Sequence, residues 1–475
     1  MRFASLAILF AAAWLLLAGL GDRELYSSHE ARAAMNAVSL LEGEPLPRLF
    51  DGTRDLQKPA LYYVLVALAG WVCGGVDGWA VRLPSALSAF GIVGLLLAFG
   101  WRMKRPLIGL FAAVVLIATV HFPWLARIGR IDMPLAFCVS AAGISFLLAL
   151  RGERSWLWLA YPACAAGVLL KGPIGLVLPV TIVAALLLAE GRWPAIWESR
   201  PWVSLLSELS VIPGLTFVIG VTLPLFVWMQ YASDGQFFHE FFWLHNVQRG
   251  LGGSRLRSHP WWLYGPYLLL YLMPATPLIF WGLFSPARRD SLARAGLAWL
   301  VGVVIVLSAA KFKRADYLLP AYPGAALFLG CIMEHWSRGR PRLVIGGAVL
   351  ATLGSMLGWG VYLYVHLPMD AAYRDYRPIA ALIRQQDKEE ILFFRAEAHA
   401  LLYRIGRPAR VLIDWDELKN TVQKTRLVVV PTKLLDEIHR NWSEVTIETV
   451  SSTEHLAGGS HERPLVVLRV SPKPR

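Results

Sequence analysis

Apolar stretches long enough to cross a lipid bilayer recur along this chain from Ser5 to about Leu367. Short charged segments separate them, so that 56% of the residues are hydrophobic and only 17% are charged. A helix needs about 20 consecutive apolar residues to span the hydrocarbon core of a bilayer. The sequence therefore predicts a polytopic α-helical membrane protein, with about 11 transmembrane helices within residues 1–370.

Residues 371–475 have a different composition, because charges are frequent and no apolar run reaches spanning length. Short runs rich in Val, Ile and Leu alternate with segments of helical character, which predicts a small soluble α/β domain. The predicted strands lie near 391–394, 411–413, 427–430, 445–450 and 465–470, and the predicted helices near 376–387, 415–424 and 432–440. This domain has no glycine-rich phosphate loop. It is interpreted as a lid or acceptor-recognition module or, alternatively, as a stabilising cap.

The formal net charge of +13 raises the question of nucleic-acid binding. In a membrane protein the simpler explanation is that Lys and Arg accumulate on the cytoplasmic loops. No basic cluster accompanies exposed aromatic repeats, so the sequence argues against nucleic acid as a partner. The four cysteines are scattered in or beside apolar segments and form neither a metal-binding nor a disulfide pattern.

The basic loops assign the two sides of the membrane. Arg2 precedes an apolar run that resembles a signal peptide but lacks a small-residue cleavage motif, which predicts an uncleaved first helix with a cytoplasmic N-terminus. Loops 101–105, 288–289 and 338–342 are then cytoplasmic, and the C-terminal domain lies outside. This solution requires the glycine-containing segment 60–76 to be an interfacial or re-entrant helix rather than a full span.

Two segments predicted on the outer side are basic, against the usual charge rule. They contain Arg249, Arg255, Arg257 and His259 in one case and Lys311, Lys313 and Arg314 in the other. Their clustering predicts that an anionic group is held there. A lipid-linked phosphate or the headgroups of membrane lipids would both fit.

The first predicted outer loop, residues 21–59, contains the run Ser-His-Glu-Ala-Arg at 28–32. This run is typical of a capped helix start. On that interpretation His29 and Glu30 only complement the helix dipole. Asp132, at the predicted start of a later helix, permits the same structural interpretation.

The predicted topology places Glu30 and Asp132 on the same outer side of the membrane. The cations Lys58, Arg249 and Lys311 are expected on that side as well. Two carboxylates surrounded by cations form a pattern that is typical of an active site. A carboxylate there could accept a proton from an acceptor hydroxyl, and the cations could stabilise a departing phosphate.

At these motifs the chain resembles the polyprenyl-phosphate-sugar-dependent glycosyltransferases of the GT-C fold, in particular the bacterial aminoarabinose lipid A transferases and the protein mannosyltransferases. The matching residues, in the family's order, are His29, Glu30, Arg32, 43–45, Pro47, Gly52, 58–63, 82–85, 132–135, 171–173, 245–249 and 317–320. Each motif alone is weak, but together they are specific and cover residues 20–320. The C-terminal domain adds little to the resemblance.

The resemblance implies a sugar donor carried on a polyprenyl phosphate. It also implies transfer to a lipid, glycan or protein acceptor at the outer face of a bacterial cytoplasmic membrane, by a multi-pass protein whose active site and C-terminal domain are extracytoplasmic. By the same resemblance Lys58, Arg249 and Tyr317 bind the donor phosphate, with Arg32 nearby. Fixed cations suit a phosphate that leaves as an anion.

The chain departs from the family at the first acidic position, where His29 replaces the usual Asp. Glu30, Asp132 or His29 itself could then act in acid–base catalysis, and the pair of Glu30 and Asp132 is favoured. The aminoarabinose enzymes also have a Glu where this chain has Gln57, and a histidine that His245 matches. The missing carboxylate weakens a metal site, so no metal ligands are predicted, and a divalent metal cofactor stays an open alternative.

A membrane glycosyltransferase is the leading interpretation. A transporter or flippase of lipid-linked sugars would share the many helices and the outer cations, but it should have two related halves and broken helices at the midplane. No internal repeat is evident, and the polar motifs lie at the outer boundaries. The histidine at position 29 leaves a third alternative, an inactive relative that serves as a scaffold. Neither the sugar nor the acceptor can be read from a motif.

Overall fold

The computed structural model describes residues 1–25, 27–195, 197–251, 258–371, 376–386, 391–396, 398–453 and 464–473. The chain separates into two compact units. The first consists of Met1–Leu20, Leu56–Leu65 and Arg82–Gly360, and the second of Gly21–Asp55, Val66–Val81 and Val361–Arg475. Each unit has its own core and is described by itself.

Helices dominate the apolar part of the chain, because a segment in a bilayer must satisfy its backbone hydrogen bonds internally. In chain order the α-helices of the described residues are α1 (Arg2–Leu17), α2 (Ser28–Leu41), α3 (Leu61–Cys73), α4 (Gly78–Arg102), α5 (Pro106–Ala118), α6 (His121–Ala126), α7 (Asp132–Ala149), α8 (Leu157–Lys171), α9 (Ile174–Glu190), α10 (Ser199–Glu208), α11 (Val211–Ala232), α12 (Gln248–Leu251), α13 (Tyr264–Tyr271), α14 (Thr276–Phe284), α15 (Ser291–Ala309), α16 (Tyr322–Gly339), α17 (Pro341–Val361), α18 (Leu367–Ala371), α19 (Arg377–Gln386), α20 (His399–Ile405), α21 (Trp415–Thr421) and α22 (Leu435–Asn441).

Within the described residues, six helical segments are long and apolar enough to cross a membrane. They are Gly78–Arg102, Asp132–Ala149, Val211–Ala232, Ser291–Ala309, Ala315–Gly339 and Pro341–Met369. Further apolar helices, such as α1, α3, α5 and α9, have 10–17 residues. The predicted polytopic helical membrane domain is confirmed, whereas the count of about 11 transmembrane helices stays a prediction.

The segment that precedes the basic loop 288–289 is broken. Trp261–Tyr271 and α14 meet there at an angle of 103°. Pro274 lies in the break and Pro277 lies in the first turn of α14. Proline has no backbone N–H and so cannot continue a helical hydrogen-bond pattern, which explains the break.

Two glycines allow α8 and α9 to form a tight hairpin. A Cβ atom on Gly175 of α9 would lie 2.1 Å from the backbone carbonyl carbon of Gly167 on α8. No side chain fits at that distance, so the close approach of the two helices requires glycine. The hairpin fixes the position of the turn at Lys171, which is important for the site described below.

Ion pairs fasten the start of α5 to α15 and α16. The Nη1 atom of Arg105 lies 2.7 Å from Oδ2 of Asp290, and its Nη2 atom lies 2.5 Å from Oε2 of Glu334. Burial disfavours the charged form of Arg105, but its hydrogen bonds to Glu334 and Asp290 outweigh burial and raise the pKa of its guanidinium group. The two carboxylates thus share one cation.

The second unit contains a five-stranded sheet with the strand order β2-β1-β3-β5-β4. The strands are β1 (Ile391–Phe394), β2 (Ala409–Leu412), β3 (Arg426–Pro431), β4 (Val445–Ser452) and β5 (Leu465–Pro472). β1 pairs in parallel with β2 and β3, and β5 is antiparallel to β3 and β4. The predicted C-terminal α/β structure is confirmed. The helix α20, which has seven residues, was not predicted.

The first predicted outer loop shares a hydrophobic core with this sheet. Met35 of α2 and Leu49 are buried in one cluster with Phe393 of β1 and Leu401 of α20. Residues 21–55, which sequence analysis grouped with the membrane domain, therefore belong to the same compact unit as the sheet.

Candidate active site

One cavity of the first unit contains several of the residues that the motifs single out. Its volume is about 240 Å³. Its polar lining consists of Gln57, Lys58, Asp132, Lys171, His245, Asn246, Tyr264, Asp316 and Tyr317. Leucine, isoleucine and phenylalanine side chains form much of the remaining wall. The structure thus brings together Lys58, Asp132 and Tyr317, three predicted site residues from distant parts of the chain.

Two cations hold Asp132 in the first turn of α7. Its Oδ1 atom lies 2.6 Å from Nζ of Lys171, and its Oδ2 atom lies 3.4 Å from Nη2 of Arg130. Asp132 is only 5% exposed, so an unpaired charge at this position would be costly. A carboxylate has about four lone-pair sites, and these two contacts leave some of them able to accept a hydrogen bond from a substrate.

Lys171 reaches Asp132 because α7 and α8 pack as a hairpin, with the end of α8 beside the beginning of α7. A cation at a helix C-terminus and an acid at a helix N-terminus both complement the helix dipoles. The chain then turns at Gly172, whose φ is +79° and whose Cβ, if present, would lie 2.5 Å from Cζ of Phe241. The Lys-Gly-Pro motif is therefore explained by an ion pair, a turn that requires glycine, and the start of α9 after Pro173.

Asp316 forms a second ion-paired centre in the same cavity. Arg130 contacts its Oδ2 atom, and Nη2 of Arg314 lies 3.3 Å from the same oxygen. Arg130 therefore bridges Asp132 and Asp316. Burial disfavours the charged form of Arg130, but the two carboxylates outweigh burial and raise the pKa of its guanidinium group.

Tyr317 contacts the same lysine that holds Asp132. The Nζ atom of Lys171 lies 3.9 Å from the centroid of the Tyr317 ring, within the range of a cation–π interaction. The ammonium group is thus positioned by a carboxylate on one side and by an aromatic face on the other.

Lys58 adds another positive charge to this cavity. It lies in the segment before α3 and is close enough to act electrostatically on Asp132. Among the described residues of the site, Lys58, Arg130, Lys171 and Arg314 are cations, whereas Asp132 and Asp316 are anions. The excess of positive charge favours an anionic ligand.

His245 lines the cavity from the π-helical segment Phe238–Val247. Such segments are frequent at functional sites. Over the part of the chain that the structure describes, no three His, Cys, Asp or Glu side chains are grouped so that they could hold a metal ion. The sequence-based expectation that Gln57 and His245 hold no metal stays a prediction.

Arg249 lies in α12, and its side chain is outside the described residues, as are residues 252–257 with two further predicted arginines. The backbone nevertheless connects the two basic segments. The N–H of Lys311 donates to the carbonyl oxygen of Gly250 at 3.1 Å, and the N–H of His259 donates to the carbonyl oxygen of Lys311 at 2.9 Å. Because Gly250 also lines the cavity, these bonds connect Lys311 and His259 to its wall.

Glu30, His29 and Arg32 lie in the second unit, at the start of α2. Glu30 is fully buried, and its Oε1 atom lies 3.1 Å from Nη2 of Arg23. The Nη2 atom of Arg32 lies 2.9 Å from Oδ1 of the buried Asp55. His29 is exposed. The ion pairs of Glu30 and Arg32 support the structure of this unit, and the functional roles predicted for them stay predictions.

Comparison with known proteins agrees with the motifs. The family described as dolichyl-phosphate-mannose-protein mannosyltransferase matches residues 57–219. An undecaprenyl phosphate-alpha-4-amino-4-deoxy-L-arabinose arabinosyl transferase of Pectobacterium carotovorum subsp. carotovorum (strain PC1) is 29% identical over 388 residues, which are 76% of this chain and 66% of that protein. A transferase of the same description from Shewanella sediminis (strain HAW-EB3) is 27% identical, over 77% of this chain and 66% of that protein. The chain thus spans slightly less than two thirds of the length of these relatives.

Solved structures extend the comparison to the fold. ArnT from Cupriavidus metallidurans, bound to undecaprenyl phosphate, has a TM-score of 0.79 at 17% identity, covering 98% of this chain and 97% of that chain. The archaeal oligosaccharyltransferase AglB from Archaeoglobus fulgidus has a TM-score of 0.57 at 12% identity, covering 91% of this chain and 69% of that chain. The chain has the GT-C fold. The family resemblance predicted from the motifs is confirmed.

Three residues of this candidate site were not predicted from the sequence. Lys171 was noticed only as part of a motif, and Arg130 and Asp316 received no role. A signal was present in each case, since Arg130 stands two residues before Asp132 and Asp316 directly precedes Tyr317. Charges this close to a predicted site residue could have been included as its partners.

The pair of Asp132 and Lys171 should be energetically coupled. Lys171→Met leaves a buried carboxylate with one cation fewer, and Asp132→Asn leaves a cation without its carboxylate. We expect each single variant to lower the thermal midpoint of the purified protein. The double variant should lose less stability than the sum of the two single variants, with a coupling free energy of about 1–3 kcal/mol.

A matched control is the more exposed pair of Arg102 and Glu153, whose atoms lie 2.9 Å apart. The cycle of Arg102→Met and Glu153→Gln should give a coupling of about 0–1 kcal/mol. Unfolding is followed with a thiol-reactive dye that reports exposure of the buried cysteines. Equal coupling free energies in the two cycles would contradict a special role for the Asp132 pair.

Proposed function

We propose that this chain is a membrane glycosyltransferase that moves a sugar from a polyprenyl-phosphate donor to a lipid, glycan or protein acceptor. The observation that carries the proposal is the cavity lined by Lys58, Lys171 and Asp132, whose carboxylate is also held by Arg130. The GT-C fold supports it, as do relatives described as arabinosyl transferases and a solved relative bound to undecaprenyl phosphate.

The donor phosphate is the ligand that the cavity suits best. Lys58, Tyr317 and Arg249 are proposed to bind it, in keeping with the motifs, and Lys171 joins them because of its position beside Tyr317. Arg32 is proposed as a further cation at the donor. Charge-assisted hydrogen bonds to phosphate are about twice as strong as neutral ones, and they strengthen as the leaving phosphate gains negative charge.

The proposed reaction is a displacement at the anomeric carbon of the donor sugar. The acceptor oxygen forms a bond to that carbon, and the bond between the carbon and the phosphate oxygen breaks. The electron pair leaves with the polyprenyl phosphate, and the hydroxyl proton passes to a carboxylate. We assign this carboxylate to Asp132, which has lone pairs left to accept the hydroxyl.

Glu30 is proposed as the second carboxylate and His29 as the alternative base, on the strength of the motif. Because Glu30 is buried with Arg23, its role would be to orient a neighbouring group rather than to exchange protons with water. The exposed His29 is the better proton carrier near neutral pH.

The setting we propose is a bacterial cytoplasmic membrane crossed about 11 times, with the reaction on its outer face. Basic residues at 101–105, 288–289 and 338–342 support the assignment of those loops to the cytoplasm. Membrane lipids and a lipid-linked sugar are then the natural partners.

The transporter alternative has one feature in its favour, the break between α13 and α14. Transporter breaks bind polar substrates through unwound backbone. Here Pro274 and Ala275 of the break line a largely apolar cavity instead. We therefore favour the transferase, and transfer measured in detergent, where no membrane separates two compartments, distinguishes the two functions.

The first prediction from the proposed function tests sugar transfer directly. Purified protein incubated with polyprenyl-phosphate sugars should release polyprenyl phosphate and form a glycosylated acceptor. Lys58→Ala should lower transfer roughly ten- to hundredfold, because it removes a charge-assisted contact of about 1.5–3 kcal/mol. Transfer is measured by mass spectrometry of the lipid product.

The matched control is Lys104→Ala, which removes an exposed lysine from the basic loop 101–105 and should leave transfer unchanged. If Lys58→Ala transfers sugar at the wild-type rate and with the wild-type donor affinity, Lys58 is not part of the site. If the wild type transfers sugar from none of a panel of donors, the transporter and scaffold alternatives become the better explanations.

The second prediction separates the candidate acids. Asp132→Asn keeps the shape of the side chain but removes its charge, so turnover should fall by about two orders of magnitude or more. Glu30→Gln should lower turnover comparably and His29→Ala less. The exposed Glu42→Gln at the other end of α2 serves as the control and should be silent.

Thermal midpoints recorded on the same samples separate a loss of chemistry from a loss of folding. A silent Glu30→Gln beside an inactive His29→Ala would make the histidine the working residue. Full activity in all three site variants would place the chemistry elsewhere.

The third prediction concerns orientation. A reporter enzyme that is active only in the cytoplasm, fused after Arg475, should give no signal, because an outside C-terminus follows from the basic loops. The same reporter fused after Arg340, in a predicted cytoplasmic loop, is the positive control. A strong signal from the C-terminal fusion would reverse the side assignment.

A further inference from the structure

A second cavity of the first unit, separate from the candidate active site, has a volume of about 1140 Å³. It lies between α17 on one side and α5, α14 and the end of α16 on the other. Val115, Leu278 and Val344 are among the side chains of its walls. No residue of the proposed transfer reaction lines it. We refer to it as the α17 groove.

The α17 groove exists because α17 is fastened to the rest of the unit through only part of its length. Toward its end, Oγ of Ser355 donates to the carbonyl oxygen of Ile117 at 2.7 Å. Toward its beginning, α17 presents the small residues Gly347, Ala348 and Ala351 to the groove. A Cβ atom on Gly347 would meet no other atom within 4 Å. The walls are therefore apolar and the space between them is open.

One end of the groove has the chemistry of a membrane surface. Arg338 and Arg340 line it there, together with His335, Trp336 and Trp281. Tryptophan is enriched at the level of lipid headgroups. Arginine presents a planar fork of donors that matches the oxygens of a phosphate. An apolar groove that ends in such residues matches a lipid, which has an apolar chain and a charged headgroup.

The positive charge at this end is not neutralised by the protein. Glu334 is the acidic residue among these groups, and its Oε2 atom lies 2.5 Å from Arg105 but 3.5 Å from Arg338. Asp290 behind it is also held by Arg105. Arg340 forms no ion pair with any residue in the described ranges, and its side chain is exposed. The two arginines can therefore bind an external anion.

The geometry points to a binding site for an anionic phospholipid of the surrounding membrane. One acyl chain lies in the α17 groove between α17 and α5, and the headgroup phosphate binds Arg338 and Arg340. Basic pockets between membrane helices are suited to such headgroups, and each nearby arginine contributes to the attraction of an anionic lipid. The site does not depend on the proposed transfer reaction, so it can be tested without a sugar donor.

The headgroup contact is tested by titrating the full-length protein in detergent with phosphatidylglycerol or with the zwitterionic phosphatidylcholine. Bound lipid is counted by native mass spectrometry. Wild type should prefer phosphatidylglycerol. The double variant Arg338→Gln/Arg340→Gln should bind it about thirtyfold more weakly, or about fivefold for each arginine. Arg342→Gln removes an exposed arginine that does not line the groove, and it should change the affinity little.

The acyl-chain contact is tested by filling the groove. A Cβ atom at position 347 would meet no other atom within 4 Å, so the Gly347→Leu variant should fold, and its side chain should compete with the acyl chain and remove most of the bound phosphatidylglycerol. Gly354→Leu is the matched control on the same helix. Its Cβ also meets nothing within 4 Å, but it does not line the groove, and lipid binding should persist. Thermal midpoints verify that both variants are folded.

Four outcomes would overturn the proposal. Equal affinity for the two lipids, or an unchanged affinity in the double arginine variant, would exclude an anionic headgroup at this end. Wild-type lipid binding by a folded Gly347→Leu variant would exclude an acyl chain in the groove. Cross-linking of an Ala351→Cys variant to a membrane protein rather than to lipid would identify a partner helix as the occupant.

Discussion

The buried carboxylate of Asp132 depends on two cations, and several features of the first unit place those cations beside it. A charge this far from water is stable only when it is paired. Lys171 reaches it because α8 ends beside the beginning of α7, and the glycine contact between α8 and α9 fixes that end. Arg130 reaches it from the preceding loop and also holds Asp316. The ion pairs thus connect three helix termini that are far apart in sequence.

The ion-pair clusters around Arg105 and around Asp132 differ in the balance of their charges. Around Arg105, one arginine serves the two carboxylates Asp290 and Glu334, so each donor has a protein partner. Around Asp132 the cations outnumber the carboxylates, and Lys58 lines an open cavity. A cluster without excess positive charge holds helices together, whereas a cluster with excess positive charge can also bind an anion. This difference is why we assign function to the second cluster and a structural role to the first.

Much of the fold could be predicted because bilayer insertion and helical hydrogen bonding leave a clear pattern in the sequence. The apolar stretches became helices, the strands of the sheet lie close to the predicted positions, and Lys58, Asp132 and Tyr317 line one cavity as the motifs suggested. The break before α14 and the burial of Met35 beside the sheet could not be predicted. Both depend on tertiary packing between segments distant in sequence, and neither leaves a periodic signal. The partnership of Lys171 with Asp132 depends in the same way on the packing of two helices.

The ion pairs of Asp132 also suggest how one site can bind a donor and activate an acceptor. As long as Lys171 and Arg130 contact Asp132, two cations balance its negative charge. A bound phosphate would compete for the same cations, and Lys171 could turn toward it while keeping its contact with Tyr317. Each contact that moved to the phosphate would strengthen the hold on the leaving group and free a lone pair of Asp132 for the acceptor hydroxyl. On the proposed function, the carboxylate would then be most reactive when a donor is in place, and the cations that stabilise the empty site would be those that stabilise the departing phosphate.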